Sequence, residues 1–266
     1  MNIKPRSIVI TGSTRGIGYS LAGAFLQRGC AVTISGRTQE AVDEAFAKLG
    51  AKHDQGLMYG VPCDVTDYIQ VERLWENAKK HFNNIDIWIN NAGMAVPMAK
   101  FWELTPEQYD KVVRTNVLGT MYGTRVALTR MLSQDHGALY NLEGFGARGG
   151  RMQGMALYGS TKAGVHFINQ ALAKETEGTP VITGAIAPGM VITDMITQQF
   201  EGREQELEKS KRILNIIAER AETVAPVLAD KILENQKNSV TIKFSSSARM
   251  MLKFLSAPFK KRDLFS

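Results

Sequence analysis

The stretch Thr11-Gly12-Ser13-Thr14-Arg15-Gly16-Ile17-Gly18 decides the fold. It closes a short β-branched run, Ser7 to Thr11, and opens directly into a helical pattern over Ile17 to Arg28. Glycine at 12, 16 and 18 permits a tight turn and lets a phosphate approach the backbone, while the start of the helix aims unpaired N–H groups and positive dipole at it. A strand, a glycine turn and a helix in that order are the opening of a dinucleotide-binding unit.

The alternation continues outward. Ala31 to Ser35, Leu57 to Val61, Ile85 to Asn90, Ala138 to Leu142, Val181 to Ala187 and Ser239 to Phe244 read as strands, and Val71 to His81, Pro106 to Ser133 and Tyr158 to Glu175 as helices. This predicts one α/β domain over residues 1–244, a Rossmann-type doubly wound parallel sheet of about seven strands with helices on both faces. Residues 190–222, rich in Glu and Lys from Glu201 to Lys211, read as a helical substrate flap, and residues 245–266 as a basic amphipathic tail.

The end of the second strand bears on which adenosine ribose is accepted, because an acid there takes a 2′-hydroxyl and a cation suits a 2′-phosphate. Ser35-Gly36-Arg37-Thr38 has no acid, and Arg15 is a second cation in the glycine turn. NADP(H) is expected over NAD(H).

The 266 residues carry a net charge of +6, with a pI near 9.3. Residues 241–266 hold six Lys and Arg against the single acid Asp263, so the basic character belongs almost wholly to the tail. The near-neutral body offers no continuing basic track, and nucleic acid is not expected as a partner. Cys30 and Cys63 lie in no CxxC or Cys/His spacing, so no metal site is expected. Without a signal-peptide pattern or an apolar run of roughly 18–20 residues, a cytoplasmic location is expected. The tail combines Met250, Met251, Leu252, Phe254, Leu255 and Phe259 with its cations. Two readings stay open for it: a helix lying peripherally in a membrane interface, or a helix packed on its own domain.

Tyr158 and Lys162 sit four apart at a helix start and so share a face. A neighbouring ammonium is expected to lower a phenol from its usual value of about 10 and make it a usable proton donor.

With Thr11 to Gly18, Cys63-Asp64-Val65, Asn90-Asn91-Ala92-Gly93, Asn116, Tyr158 with Lys162, and Pro188-Gly189 followed by Thr193, the chain resembles the short-chain dehydrogenase/reductases. The resemblance implies a cofactor site of Gly12, Ser13, Thr14, Arg15, Gly16, Ile17, Gly18, Arg37, Asp64, Val65, Asn91, Ala92, Gly93, Tyr158, Lys162, Pro188, Gly189 and Thr193. It implies that Asp64 bonds the adenine, that Asn91 lines the adenosine side and that Thr193 touches the nicotinamide amide. Lys162 would hold the nicotinamide ribose and tune Tyr158, and Asn116 would fix a water in a proton relay. It also implies a homodimer or homotetramer paired through the helices around Asn116 and Tyr158.

The serine that this family places after the fifth strand is missing, since no Ser or Thr occurs between Ser133 and Ser160. Three readings stay open for the segment Asn141 to Ala147: a backbone N–H from the Gly144 to Gly146 turn assists Tyr158, Glu143 takes the serine's place, or Glu143 is a turn carboxylate facing solvent. The run Asn141 to Gly150 followed by Tyr158-Gly-Ser-Thr-Lys162 resembles the chlorophyll b reductases within the family. That likeness implies an NADPH-dependent carbonyl reductase that converts the formyl group of chlorophyll(ide) b to hydroxymethyl. The alternatives are a reductase of another bulky apolar carbonyl, such as a steroid, long-chain ketone or quinone, and a non-catalytic NADP-binding protein. The loops after strands four to six hold Met94, Met98, Phe145, Met152, Met155, Met190 and Met195, which suit a large apolar ligand.

Overall fold

The computed structural model describes residues 5–245, 252–253 and 262–265. Seven parallel strands form the central sheet: β1 (Ser7–Ile10), β2 (Ala31–Gly36), β3 (Met58–Pro62), β4 (Ile87–Asn90), β5 (Gly137–Leu142), β6 (Val181–Ala187) and β9 (Val240–Lys243). Their order is β3-β2-β1-β4-β5-β6-β9. The chain therefore reverses its direction of travel between β1 and β4, where an open α/β sheet leaves a crevice beyond its carboxyl ends. β1 and β2 are buried along their whole length, as strands covered on both faces must be.

On one face, α1 (Gly16–Leu26), α2 (Gln39–Gly50) and α9 (Ala221–Glu234) cover the sheet through Leu21, Phe25, Leu49 and Leu228. On the other, α3 (Tyr68–Phe82) and α5 (Gly119–Ser133) bury Leu74, Trp75, Val126 and Met131 against Trp88 and Leu139. The remaining long helix, α6 (Ala156–Glu175), packs beside β6. Asp67 caps α3 through the N–H groups of Ile69 and Gln70, which starts this helix three residues before the first apolar residue of its pattern.

The helix expected over Pro106 to Ser133 has three parts. Thr105 and Gln108 form a reciprocal cap, Pro106 starts α4 (Pro106–Val113), a π-helical turn follows over Arg114–Leu118, and α5 resumes at Gly119. The π turn carries Asn116, and such widened turns concentrate at functional sites. The flap is more than helical: α7 (Asp194–Gln199) and α8 (Glu204–Ile217) lie between β7 (Val191–Ile192) and β8 (Glu219–Arg220), which pair in parallel as a second small sheet.

Candidate active site

The glycine turn is held from β4. Asn91 donates from Nδ2 to the carbonyls of Thr11 and Gly12, both at 2.8 Å, and Thr11 Oγ1 accepts the N–H groups of Asn91 and Ala92. A Cβ on Gly12 would stand 2.8 Å from Ala92 Cα, and Gly12 and Gly16 both have positive φ, so glycine is required there. Asn91 thus fastens the turn rather than simply lining the adenosine side. Its Oδ1 is buried without a partner among the described residues. No side chain caps the first turn of α1, which leaves its N–H groups to an anion.

Across the turn, a Cβ on Gly16 would lie 3.4 Å from Thr193 Cγ2, and one on Gly36 would lie 2.5 Å from Thr14 Cγ2. The end of β2, with Arg37 next in the chain, therefore abuts the turn that carries Arg15. Both arginines are exposed and have no ion-pair partner among the described residues. Asp64 is half-buried and accepts the N–H and hydroxyl of Thr66 on one oxygen. A glycine cradle, an uncapped helix start, an orphaned amide oxygen and two unpaired cations fit a phosphorylated dinucleotide.

Further along the crevice, Lys162 is buried and donates to the carbonyl of Leu142 at 3.0 Å. Its Nζ lies 6.0 Å from the centre of the Tyr158 ring. Burial pulls Lys162 down to about 8, with the charge of Glu143 opposing. Burial also pushes the Tyr158 phenol up to about 12, and this corrects the expectation that the ammonium lowers it. Desolvation outweighs a cation that is itself costly to bury. A Cβ on Gly93 would come within 3.6 Å of Lys162 Nζ and 3.4 Å of Asn116 Oδ1, which explains the bare position beside both. Asn116 is fully buried; its side chain bonds both the N–H and the carbonyl of Met94 and donates to Thr161 Oγ1. In this arrangement the side-chain amide serves the loop after β4 and α6.

Glu143, expected either in the missing serine's place or facing solvent, is buried among side-chain partners. Its carboxylate is 2 % exposed; Oε2 accepts from Arg148 Nε at 3.0 Å, and Oε1 lies 2.7 Å from His166 Nδ1. Asn169 adds a longer bond, and Arg148 also donates to Thr241 of β9. Both of its oxygens are thus engaged by neighbouring side chains, and the group does not face solvent. Position 144 is the one that faces the phenol, for a Cβ there would stand 2.4 Å from Tyr158 Oη.

The expected apolar pocket forms only in part. Met98 and Met155 are buried, Met152 is half-exposed, and Met94 packs into a small core with Leu104, Val112 and Leu157 rather than lining a cavity. Phe145, Met190 and Met195 are partly buried, whereas Gly189 is exposed and Pro188 buried. Residues 190–222 are tied to the loop after β4: Met98 N–H donates to the Gln199 carbonyl and Arg203 Nη1 to the Met98 carbonyl. A cavity of about 230 Å³ remains between Met98, Lys100, Glu103, Gly154 and Arg203.

The expected tail helix falls largely outside the described residues. Its two described cations, Lys253 and Arg262, both pair with Glu219 of β8. No helix among the described residues is long and apolar enough to cross a membrane.

Residues 6–204 match the short chain dehydrogenase family. The chain belongs to that family of oxidoreductases. Within it, the chain is 32% identical over 277 residues to a probable chlorophyll(ide) b reductase, NYC1, of Arabidopsis thaliana, an alignment that takes in 98% of this chain and 55% of that protein. It is 36% identical over 233 residues to the chlorophyll(ide) b reductase NOL of the same plant, covering 86% and 65% respectively. The chain thus spans only about half to two thirds of these relatives. Among solved structures of the family, a closed serine dehydrogenase complexed with NADP+ superposes with a TM-score of 0.78 at 28% identity, covering 89% of this chain and 93% of that one. ElxO with NADP bound superposes at 0.77 with 25% identity, over 90% of this chain and 98% of its own.

The Gly144 to Gly146 turn was among the readings of the sequence, whereas the part played by the Thr11 hydroxyl in holding β4 was not. Arg148 and His166 carry no motif, since their meaning lies in a carboxylate that the fold brings to them.

Proposed function

We propose that the chain is an NADPH-dependent carbonyl reductase acting on the formyl group of chlorophyll(ide) b. The observation that carries this reading is the pairing of a protonated phenol with a buried lysine at the mouth of a dinucleotide crevice, in a chain similar to NYC1 and NOL. Exposed Arg15 and Arg37 favour a 2′-phosphate. Gly12, Gly16, Gly18 and the start of α1 would hold the pyrophosphate, Asp64 the adenine, Thr193 the nicotinamide amide and Lys162 its ribose. NADPH, when bound, supplies the hydride.

Tyr158 keeps its proton across the neutral range and delivers it to the carbonyl oxygen. The formyl carbon gains a hydride and the oxygen a proton, giving a hydroxymethyl group. Lys162, with a value of about 8, is charged near neutrality and steadies the phenolate that remains. A non-catalytic role would leave the buried Lys162 beside Tyr158 without a use. Exposed Val113 of α4, Met121 of α5 and Phe167 of α6 support a homodimer or homotetramer paired through these helices.

Incubation with NADPH and chlorophyllide b tests the reading. The expected result is NADPH oxidation matched by hydroxymethyl pigment. Oxidation with steroid or long-chain carbonyls alone would replace the pigment with another bulky substrate.

A further inference from the structure

The turn after β5 has three backbone donors that nothing uses. Among the described residues, the N–H groups of Gly144, Phe145 and Gly146 donate to no protein acceptor, while the flanking N–H groups of Glu143 and Ala147 are satisfied by Ile186 and Gly144 carbonyls. Unused backbone N–H groups are uncommon in partly buried chain. The turn begins beside the reacting phenol, since a Cβ at 144 would meet Tyr158 Oη at 2.4 Å. The turn also lies backbone to backbone on α6: a Cβ on Gly146, whose φ is +91°, would come 2.5 Å from Gly159 Cα, one residue past Tyr158.

A clamp holds the turn in this place. Arg148, at the end of the turn, ties back to Glu143 at its start and forward to Thr241 of β9. Glu143 is in turn seated on His166 and Asn169 of α6. Side chains on α6, β9 and both ends of the turn therefore fix one short loop, and the part they fix bears no side chain that could polarise a carbonyl.

We infer that the N–H groups of the Gly144–Gly146 turn polarise the substrate carbonyl in place of a serine hydroxyl, and that Arg148 and Glu143 are the positioning residues that present them. Preorganised backbone donors act in this way where negative charge develops on oxygen, and one donor is worth about 10²–10³ in kcat. Gly at 144 is then no gap in the site: it clears the approach to N–H groups that a side chain would cover. The inference rests on the carbonyl-reductase reading but not on the pigment.

The test uses the full chain, NADPH and 2-naphthaldehyde as a flat apolar probe. Arg148→Met removes both ties; the expected result is a fall in kcat of about tenfold or more, with KM and the NADPH dissociation constant within about twofold. Arg148→Lys, able to keep the pair with Glu143, should recover most of the loss, and Thr241→Val should fall between. In the Tyr158→Phe background, the carbonyl stretch of the bound probe should stay shifted to lower frequency, and should lose that shift when Arg148→Met is added. An unchanged kcat in Arg148→Met, or a carbonyl stretch that Tyr158→Phe alone returns to its apolar-solvent value, overturns the inference. A parent chain that reduces neither this probe nor any other carbonyl overturns the reductase reading beneath it.

Discussion

Lys253 Nζ lies 2.6 Å from Glu219 Oε1, so a cation of the C-terminal segment is fastened to β8. Arg262 takes the other oxygen, and the Leu264 N–H bonds Asn215 of α8. The Glu219 backbone N–H donates to the Met190 carbonyl, and β8 pairs with β7, which leads into Thr193 over the glycine turn. The clasp therefore reaches the cofactor crevice through two short strands.

Glu219→Gln is expected to lower the unfolding midpoint by a few degrees, in keeping with a loss of about 1–3 kcal/mol for a mostly buried charged hydrogen bond. Burial raises the Glu219 carboxyl, but its bonds to Lys253 and Arg262 prevail and hold it below the usual carboxylate range. Its contribution is present above the unfolded value, about 4.3, and disappears as pH falls through the folded one. Denaturant midpoints of parent and variant should converge on acidification through that window; a constant gap would contradict the clasp.

Arg37→Asp should reverse the ribose preference. Loss of a charge-assisted bond to a 2′-phosphate costs about 1.5–3 kcal/mol, or roughly 10–100-fold in NADPH affinity. The new acid should at the same time strengthen NADH binding, because it can accept from a 2′-hydroxyl. Titrating both cofactors by fluorescence reads the switch directly, and equal losses for the two would remove Arg37 from the ribose site.

Arg203→Ala frees the Met98 carbonyl. Arg203 ties residues 190–222 to the loop after β4, so a bulky substrate that needs these two segments apart should be favoured when the tie is lost. The variant should raise kcat/KM for a bulky aldehyde by about two- to tenfold, the worth of one hydrogen bond, and leave a small aldehyde nearly unchanged. Faster proteolytic cleavage within α7–α8 should accompany it. A uniform loss for both substrates would mean that the tie is structural only.

The sheet and the cofactor crevice were legible because local rules and the fold agree there. Glycine at 12, 16 and 18, apolar strands and a Thr105-Pro106 helix start each express a constraint within a few residues. The π turn at Asn116 was not legible, for Arg114–Leu118 is ordinary helical sequence and the side-chain partners of Asn116, Met94 and Thr161, lie far along the chain. β7 and β8 have two residues each, too few to carry an alternation. Glu143 was legible as a departure but not as a role, because its partners Arg148, His166 and Asn169 meet it only in three dimensions. The tail's excess charge was visible, yet the acid that takes two of its cations lies on β8.

Burying Lys162 costs the fold stability. In the folded chain it loses its proton at about 8, against 10.5 when exposed. Below about 8 both states carry the proton and the folded one bears the whole burial penalty, on the order of 3 kcal/mol. Between these values only the unfolded chain binds the proton, so stability rises with pH through that window. Lys162→Met should therefore be more stable than the parent at about pH 7, and the gap should close as pH approaches that of an exposed lysine. It should also be inactive, and in the parent carbonyl reduction should decline as pH rises through about 8, since Tyr158 holds its proton far beyond that. Urea midpoints over pH, set beside the kcat profile, test both halves. A variant less stable than the parent at neutrality would show that the ammonium is compensated by its surroundings, and would remove the basis for assigning the alkaline limb to Lys162.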